Sequence, residues 1–290
     1  MTNTNTSRRN ERRVSSVTGW LRLLVHANLF ISLATVSVAV TTMVLVGLSL
    51  EFFPLFVVFA ATMFVYTVNR FTDLEEDERN VPRRAAFTRR YGRFWLALGI
   101  VLYLGAIATA VGLDLPGALY LLLPVPVALL YSLGGLKRIF LVKNCFVGLA
   151  WGVIPLGVGY YYGQLADLSV LFLAGYVTVM ITIAAVIFDV KDVAGDRAEG
   201  IATVPNRLGL RSTRRLSQAA NVVVATGVIG LVWTDVLTGE FLVVLAMNGY
   251  VAGYIPFATP DRGPLFYGFV VDGEHVFLAG VVLALEWLVW

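Results

Sequence analysis

Stretches of about twenty apolar residues recur along nearly the whole chain, and this recurrence restricts the fold more than any other feature. They fall at 24–46, 52–70, 94–113, 115–133, 144–163, 168–188, 217–234, 240–258 and 266–289. A helix rises about 1.5 Å per residue, so about 20 residues cross the roughly 30 Å hydrocarbon core of a bilayer. None of the stretches alternates with the two-residue period of a barrel strand. Composition agrees: 58% of the 290 residues are hydrophobic and 14% charged, against about 45–50% and 25% in soluble domains. Mean hydropathy is +0.78. The expected fold is therefore all-α, a multi-pass membrane bundle of about nine transmembrane helices. Water-soluble, disordered and disulfide-stapled folds are excluded, the last because Cys145 is the single cysteine. Two histidines, His26 and His275, are too few for a histidine-rich zinc site.

Residues 1–20 form a polar tail without a cleavable-signal pattern, and 21–290 a single membrane domain. Five of the 22 Lys and Arg lie before or at the first span, seven between Arg70 and Arg93, and three between Lys137 and Lys143. Six more lie between Lys191 and Arg215, and Arg262 stands alone. If the spans alternate, all 22 fall on one side, while the opposite loops hold Glu51, Asp114, Asp167, Asp235 and Glu240. The positive-inside rule then places the amino terminus and the basic loops in the cytoplasm of a cell-membrane protein. The net charge of +3 and pI of about 9.0 point to anionic lipid headgroups rather than nucleic acid.

Two acidic clusters end spans on that same side. In Asn69-Arg-Phe-Thr-Asp73-Leu-Glu-Glu-Asp77 the outer three polar positions are four apart and share a helix face. Asp189, Asp192 and Asp196, spaced by three and four, share another. Like charges at such spacing repel by about 0.2–0.5 kcal/mol per pair on an exposed helix. A divalent cation turns that repulsion into coordination. Magnesium is usually held by one or two carboxylates plus substrate phosphates, so two acidic helix ends with basic neighbours suit a magnesium–diphosphate substrate. Arg83, Arg84, Lys137, Arg138, Lys191 and Arg197 are the cations placed to reach phosphate oxygens. Glu75, Glu76 and Glu78 read as solvated, Cys145 as inert packing, and both histidines as packed and hydrogen-bonded.

Two other classes fit the residues less well. A transporter or cation-binding protein normally keeps its acids near the bilayer midplane rather than at one interface. A CDP-alcohol phosphotransferase needs a DG-x-x-AR run, which this chain lacks.

The two clusters resemble the paired signatures of the UbiA superfamily of intramembrane prenyltransferases. Asn69-x-x-x-Asp73-x-x-x-Asp77 with Asn80-Val81-Pro82-Arg83 is similar to the first. Lys191-Asp192-Val-Ala-Gly-Asp196-Arg197, then Gly200-Ile201 and Thr203-Val204-Pro205, is similar to the second. Tyr131-Ser132 with Leu136-Lys137-Arg138 resembles the stretch after the fourth span. Arg70 departs from the pattern, since many members carry an acid beside the first Asn. The resemblance implies transfer of an isoprenoid from a prenyl diphosphate to a lipophilic acceptor: a quinone precursor, a glycerol-phosphate lipid, a porphyrin or a carotenoid. Two Mg2+ ions would bridge the diphosphate to Asp73 and Asp77 on one side and Asp192 and Asp196 on the other. Asn69 and Asp189 would orient those shells. Tyr131 would shield the allylic cation through its π face.

Overall fold

The computed structural model describes residues 18–126 and 139–289, apart from the side chains of Glu76 and Asn80. The first span is two helices, α1 (Thr18–His26) and α2 (Leu29–Leu45), bent by 72°. The break falls at Asn28, with φ 60° and ψ 11°, a left-handed conformation that asparagine tolerates better than most residues. Its side chain ties the bend to the next helix: Nδ2 donates to Thr67 Oγ1 at 3.2 Å, and Oδ1 accepts from Arg70 Nε at 3.2 Å.

Helix α3 (Phe52–Thr72) runs into the short α4 (Leu74–Asn80) and then α5 (Pro82–Gly112). Pro82 opens α5, where its missing N–H removes no helical bond. A 3-10 turn (Ala118–Leu122) follows; residues 127–133 of the expected fourth span lie outside the described residues. Next come α6 (Val142–Tyr161), α7 (Leu168–Ala198), α8 (Val204–Leu208) and α9 (Leu210–Trp233). Helix α10 (Leu245–Tyr254) is flanked by 3-10 turns. A π-helical turn (Phe266–Val271) precedes α11 (Glu274–Leu288). Among the described residues seven segments are long and apolar enough to cross a bilayer, and eight if the bent α1–α2 pair counts as one. The fold is the all-α membrane bundle expected.

The helices outrun the apolar stretches. Helix α5 begins at Pro82 rather than 94, α7 runs to Ala198 rather than 188, and α9 begins at Leu210 rather than 217. Hydropathy marks the hydrocarbon depth, whereas Arg, Lys and Glu are good helix formers and carry the backbone ladder onward into polar surroundings. Much of what read as basic loop is thus helical extension.

Lipid tails are as apolar as leucine, so helices in a bilayer associate by close packing and hydrogen bonds. Helices α6 and α7 show both. A Cβ at Gly148 would lie 2.2 Å from Thr182 Oγ1 and 2.4 Å from the Thr178 carbonyl oxygen. At Gly152 it would lie 2.0 Å from Thr178 Oγ1 and 2.8 Å from the Ala174 carbonyl oxygen. The two backbones therefore touch along an antiparallel register. Across the rest of the core, Asn248 Nδ2 donates to Asn221 Oδ1 at 2.8 Å and Tyr176 Oη to Asn248 Oδ1 at 2.8 Å. These bonds join α7, α9 and α10 around buried Met180, Ile187 and Met247.

Candidate active site

The two acidic stretches converge because α3–α4 and α7 end beside one another. Asp73 closes α3 with φ −102° and ψ 15°, yet the hydrogen-bond ladder passes through it. Asp73 N–H donates to the Asn69 carbonyl at 2.9 Å, and Asp77 N–H to the Asp73 carbonyl at 2.8 Å. Helix α7 continues unbroken through Asp189, Asp192 and Asp196. Asp73 and Asp77 line one wall of a cavity of about 350 Å³, and Asp189 and Asp192 line another. Arg79 of α4 pairs with Glu199 just beyond α7, clasping the two walls at the rim.

Cations meet these acids directly. Arg84 Nε donates to Asp77 Oδ2 at 2.7 Å, and its Nη2 donates to Oδ1. Lys143 Nζ lies 2.7 Å from Asp189 Oδ1 and 3.9 Å from Asp196 Oδ2. Asn144 Nδ2 donates to Asp189 Oδ2 at 3.0 Å. Lys191 pairs with its neighbour Asp192. Asp77 and Asp189 are each only 3% exposed, so without these partners they would be uncompensated buried charges.

Five acids (Asp73, Asp77, Asp189, Asp192, Asp272) and five bases (Arg70, Arg84, Lys143, Lys191, Arg262) are counted among the described lining residues. The floor is apolar and aromatic: Trp151 Nε1 donates to Tyr66 Oη at 3.1 Å, with Ile31, Val147 and Ile181 beside them. Among the described residues no three Asp, Glu, His or Cys side chains come together to hold one ion. The donors on offer are hard carboxylate oxygens in two groups on facing walls. That set fits an ion whose remaining ligands are water and substrate phosphate, the usual way magnesium is held.

The expected site residues divide. Asp73, Asp77, Asp189, Asp192 and Lys191 line the cavity; Asn69 and Asp196 do not, although Asp196 is buried one turn beyond Asp192. Arg83 and Arg197 are exposed and do not line the cavity. Neighbouring helical residues point about 100° apart, so of Arg83 and Arg84 only Arg84 turns inward. Tyr131, Lys137 and Arg138 lie outside the described residues.

The cavity adds Lys143, Asn144, Arg70, Arg262, His26 and Asp272. Only Arg70 carried a signal in the sequence, as the departure in the first motif. His26 packs against Phe87, ring centroids 5.8 Å apart, but its Nε2 has no hydrogen-bond partner among the described residues. Neither ring nitrogen of His275 has one, and its ring lies 5.5 Å from that of Trp151. The expectation of a hydrogen-bonded ring is corrected for His275. Cys145 is exposed on the outside of α6 rather than packed.

A family model described as the UbiA prenyltransferase family matches residues 28–262. A digeranylgeranylglyceryl phosphate synthase of Methanosphaera stadtmanae is 22% identical over 201 residues, covering 68% of this chain and 72% of that protein. Two solved structures share the fold. One is a UbiA homologue from Aeropyrum pernix K1, with TM-score 0.63, 19% identity and coverage of 87% of this chain and 95% of that one. The other is a UbiA homologue from Archaeoglobus fulgidus bound to GPP and Mg2+, with TM-score 0.58, 12% identity and coverage of 91% and 99%.

Proposed function

The chain belongs to the UbiA prenyltransferase family, and on that premise we propose that it joins an isoprenoid from a prenyl diphosphate to the hydroxyl of a glycerol-phosphate lipid. The observation that carries this reading is the cavity: paired acids on two walls, balanced by cations, above an apolar aromatic floor. The glycerol-phosphate acceptor is supported by the Methanosphaera relative, whose named product bears two geranylgeranyl chains on one glyceryl phosphate.

Balanced charge limits what can bind. A prenyl diphosphate and a lipid phosphate together bring several negative charges into a cavity whose described lining sums to zero, so divalent cations must enter with them. Mg2+, bound with GPP in the Archaeoglobus homologue, would be held by Asp73 and Asp77 on one wall and by Asp192 on the other, with Asp196 buried one turn behind it, supplying Lewis-acid stabilisation of the departing diphosphate.

The chain's own residues do the rest. Arg84, Lys143 and Lys191 move from their carboxylate partners onto phosphate oxygens, where charge-assisted bonds are strongest. Asp189 and Asn144 position Lys143. Asn69, one turn before Asp73, orients that carboxylate. The floor excludes water from the allylic carbon, and the faces of Trp151 and Tyr131 stabilise positive charge there. Lys137 and Arg138 add to the phosphate contacts. The isoprenoid tail lies among the apolar side chains of the bundle, and the cavity opens to the cytoplasm.

Purified protein supplied with geranylgeranyl diphosphate, Mg2+ and geranylgeranylglyceryl phosphate should yield a doubly prenylated ether lipid by mass spectrometry. Prenylation of a phenolic quinone precursor with no ether lipid formed would reject the glycerol-phosphate acceptor.

A further inference from the structure

The last span brings to the cavity an acid that lies outside both signature clusters. Asp272 follows the π-helical turn Phe266–Val271, and its N–H donates to the Tyr267 carbonyl at 3.2 Å, the long bond of that turn. Single π turns inside membrane helices are often found at functional sites. The turn is held on both sides. A Cβ at Gly268 would lie 2.6 Å from Val25 of α1, and one at Gly273 would lie 2.4 Å from the Phe269 carbonyl oxygen. Phe269 also packs on Phe30 of α2, centroids 4.5 Å apart. Asp272 is thereby fixed on a third wall, with Arg262 exposed at the rim of the same segment.

Its electrostatic position differs from that of the signature acids. Asp77, Asp189 and Asp192 each accept a direct bond from a cation. Arg70, Lys191 and Arg84 act on Asp272 through space, and among the described residues no hydrogen bond or ion pair reaches its carboxylate. An ionisable side chain at membrane depth is costly and is retained for function. A carboxylate that faces the cavity without a bonded partner suits a proton acceptor better than a structural counter-ion.

Ether formation needs such an acceptor. The hydroxyl oxygen attacks C1 of the isoprenoid, the C1–O bond to diphosphate breaks with its electron pair leaving on the diphosphate, and the hydroxyl proton must be taken up. We propose that Asp272 is the general base that receives this proton, and that it orients the acceptor hydroxyl from the third wall. This rests on the alcohol-acceptor reading above.

The test compares wild type with Asp272→Asn, using geranylgeranyl diphosphate and geranylgeranylglyceryl phosphate in detergent micelles. General-base removal typically costs about 10²–10⁴-fold, so kcat should fall at least that far while the KM for the diphosphate stays within about twofold. An acceptor whose hydroxyl is acidified by fluorine on the adjacent carbon should recover much of the loss, because it needs less help to release its proton. Asp272→Glu should retain more activity than Asp272→Asn. A loss confined to donor KM, or no rescue by the acidified acceptor, would overturn the proposal in favour of a counter-ion role. If Asp272→Asn does not fold, wild-type turnover in D2O decides: slowing is expected, and identical rates would overturn proton removal. Failure of wild type to prenylate any alcohol would instead reject the acceptor reading.

Discussion

Arg84, in the first turn of α5, and Asp77 of α4 form a two-pronged pair: Nε to Oδ2 at 2.7 Å and Nη2 to Oδ1. The carboxylate is nearly sealed, whereas the guanidinium keeps 18% of its side chain exposed. Removing one member of a buried pair costs about 3–5 kcal/mol. Because Arg84 is partly hydrated, Arg84→Ala should cost about 2–3 kcal/mol in the metal-free protein. If Asp77 binds magnesium, the ion replaces the lost partner. The thermal midpoint of Arg84→Ala should then rise more with Mg2+ than that of wild type. Equal rises would remove Asp77 from the metal site.

Asp73→Asn and Asp192→Asn should each lower Mg2+-dependent transfer by at least about 10²-fold, as expected when a metal that stabilises leaving-group charge is displaced. Gel filtration and thermal unfolding should be unchanged, since both side chains are only partly buried and line the cavity. Full turnover in either variant, or turnover without a divalent ion, would end the metal scheme.

Gly148→Ala and Gly152→Ala should destabilise the bundle by about 1–3 kcal/mol each, the usual cost of overpacking. Gly157→Ala, in open space on the same helix, serves as the control. Activity should fall along with stability, because the contact sets the register that delivers Lys143 and Asn144 to Asp189. A slip of one turn, about 5.4 Å, would part them. Wild-type unfolding of Gly148→Ala would show that α6 and α7 tolerate separation.

Arg70→Ala should raise the KM for the prenyl diphosphate about tenfold, the loss of one charge-assisted bond of about 1.5 kcal/mol. Arg83→Ala should leave it unaltered, because that side chain is exposed. Arg70 lines the cavity and bonds to Asn28 at 3.2 Å, so it does not simply extend to the headgroups. Equal effects of the two substitutions would contradict the inward placement of Arg70.

A single cysteine at position 79 or 199, in a background lacking the exposed Cys145, should be labelled only from the cytoplasm. Labelling from the opposite side would invert the proposed orientation.

The helical bundle was legible because the length of an apolar span is a local signal, readable from composition. The acids at 73, 77 and 192 were legible for a similar reason: helical spacing places them on a face without knowledge of partners. Lys143, Arg262 and Asp272 were not, since each reaches the cavity only through contacts between distant helices. Arg83 and Arg84 could not be told apart until the start of α5 at Pro82 fixed the helix phase. Asn69 shares the helical ladder with Asp73 but does not line the cavity, a difference that four-residue spacing alone does not show. The first span looked continuous because no proline or glycine interrupts residues 24–46; the left-handed Asn28 breaks it instead.

The cation partners of Asp77, Asp189 and Asp192 bear on how the protein comes to exist in a membrane at all. A zinc finger stays unfolded until its ion arrives, because its ligands have nothing else to satisfy them. Here two of the proposed ligands, Asp77 and Asp192, are already paired with Arg84 and Lys191. Insertion and helix assembly can therefore be completed during biosynthesis with no ion present. Chelators should silence the protein while leaving it intact, and activity should return when the ion is restored.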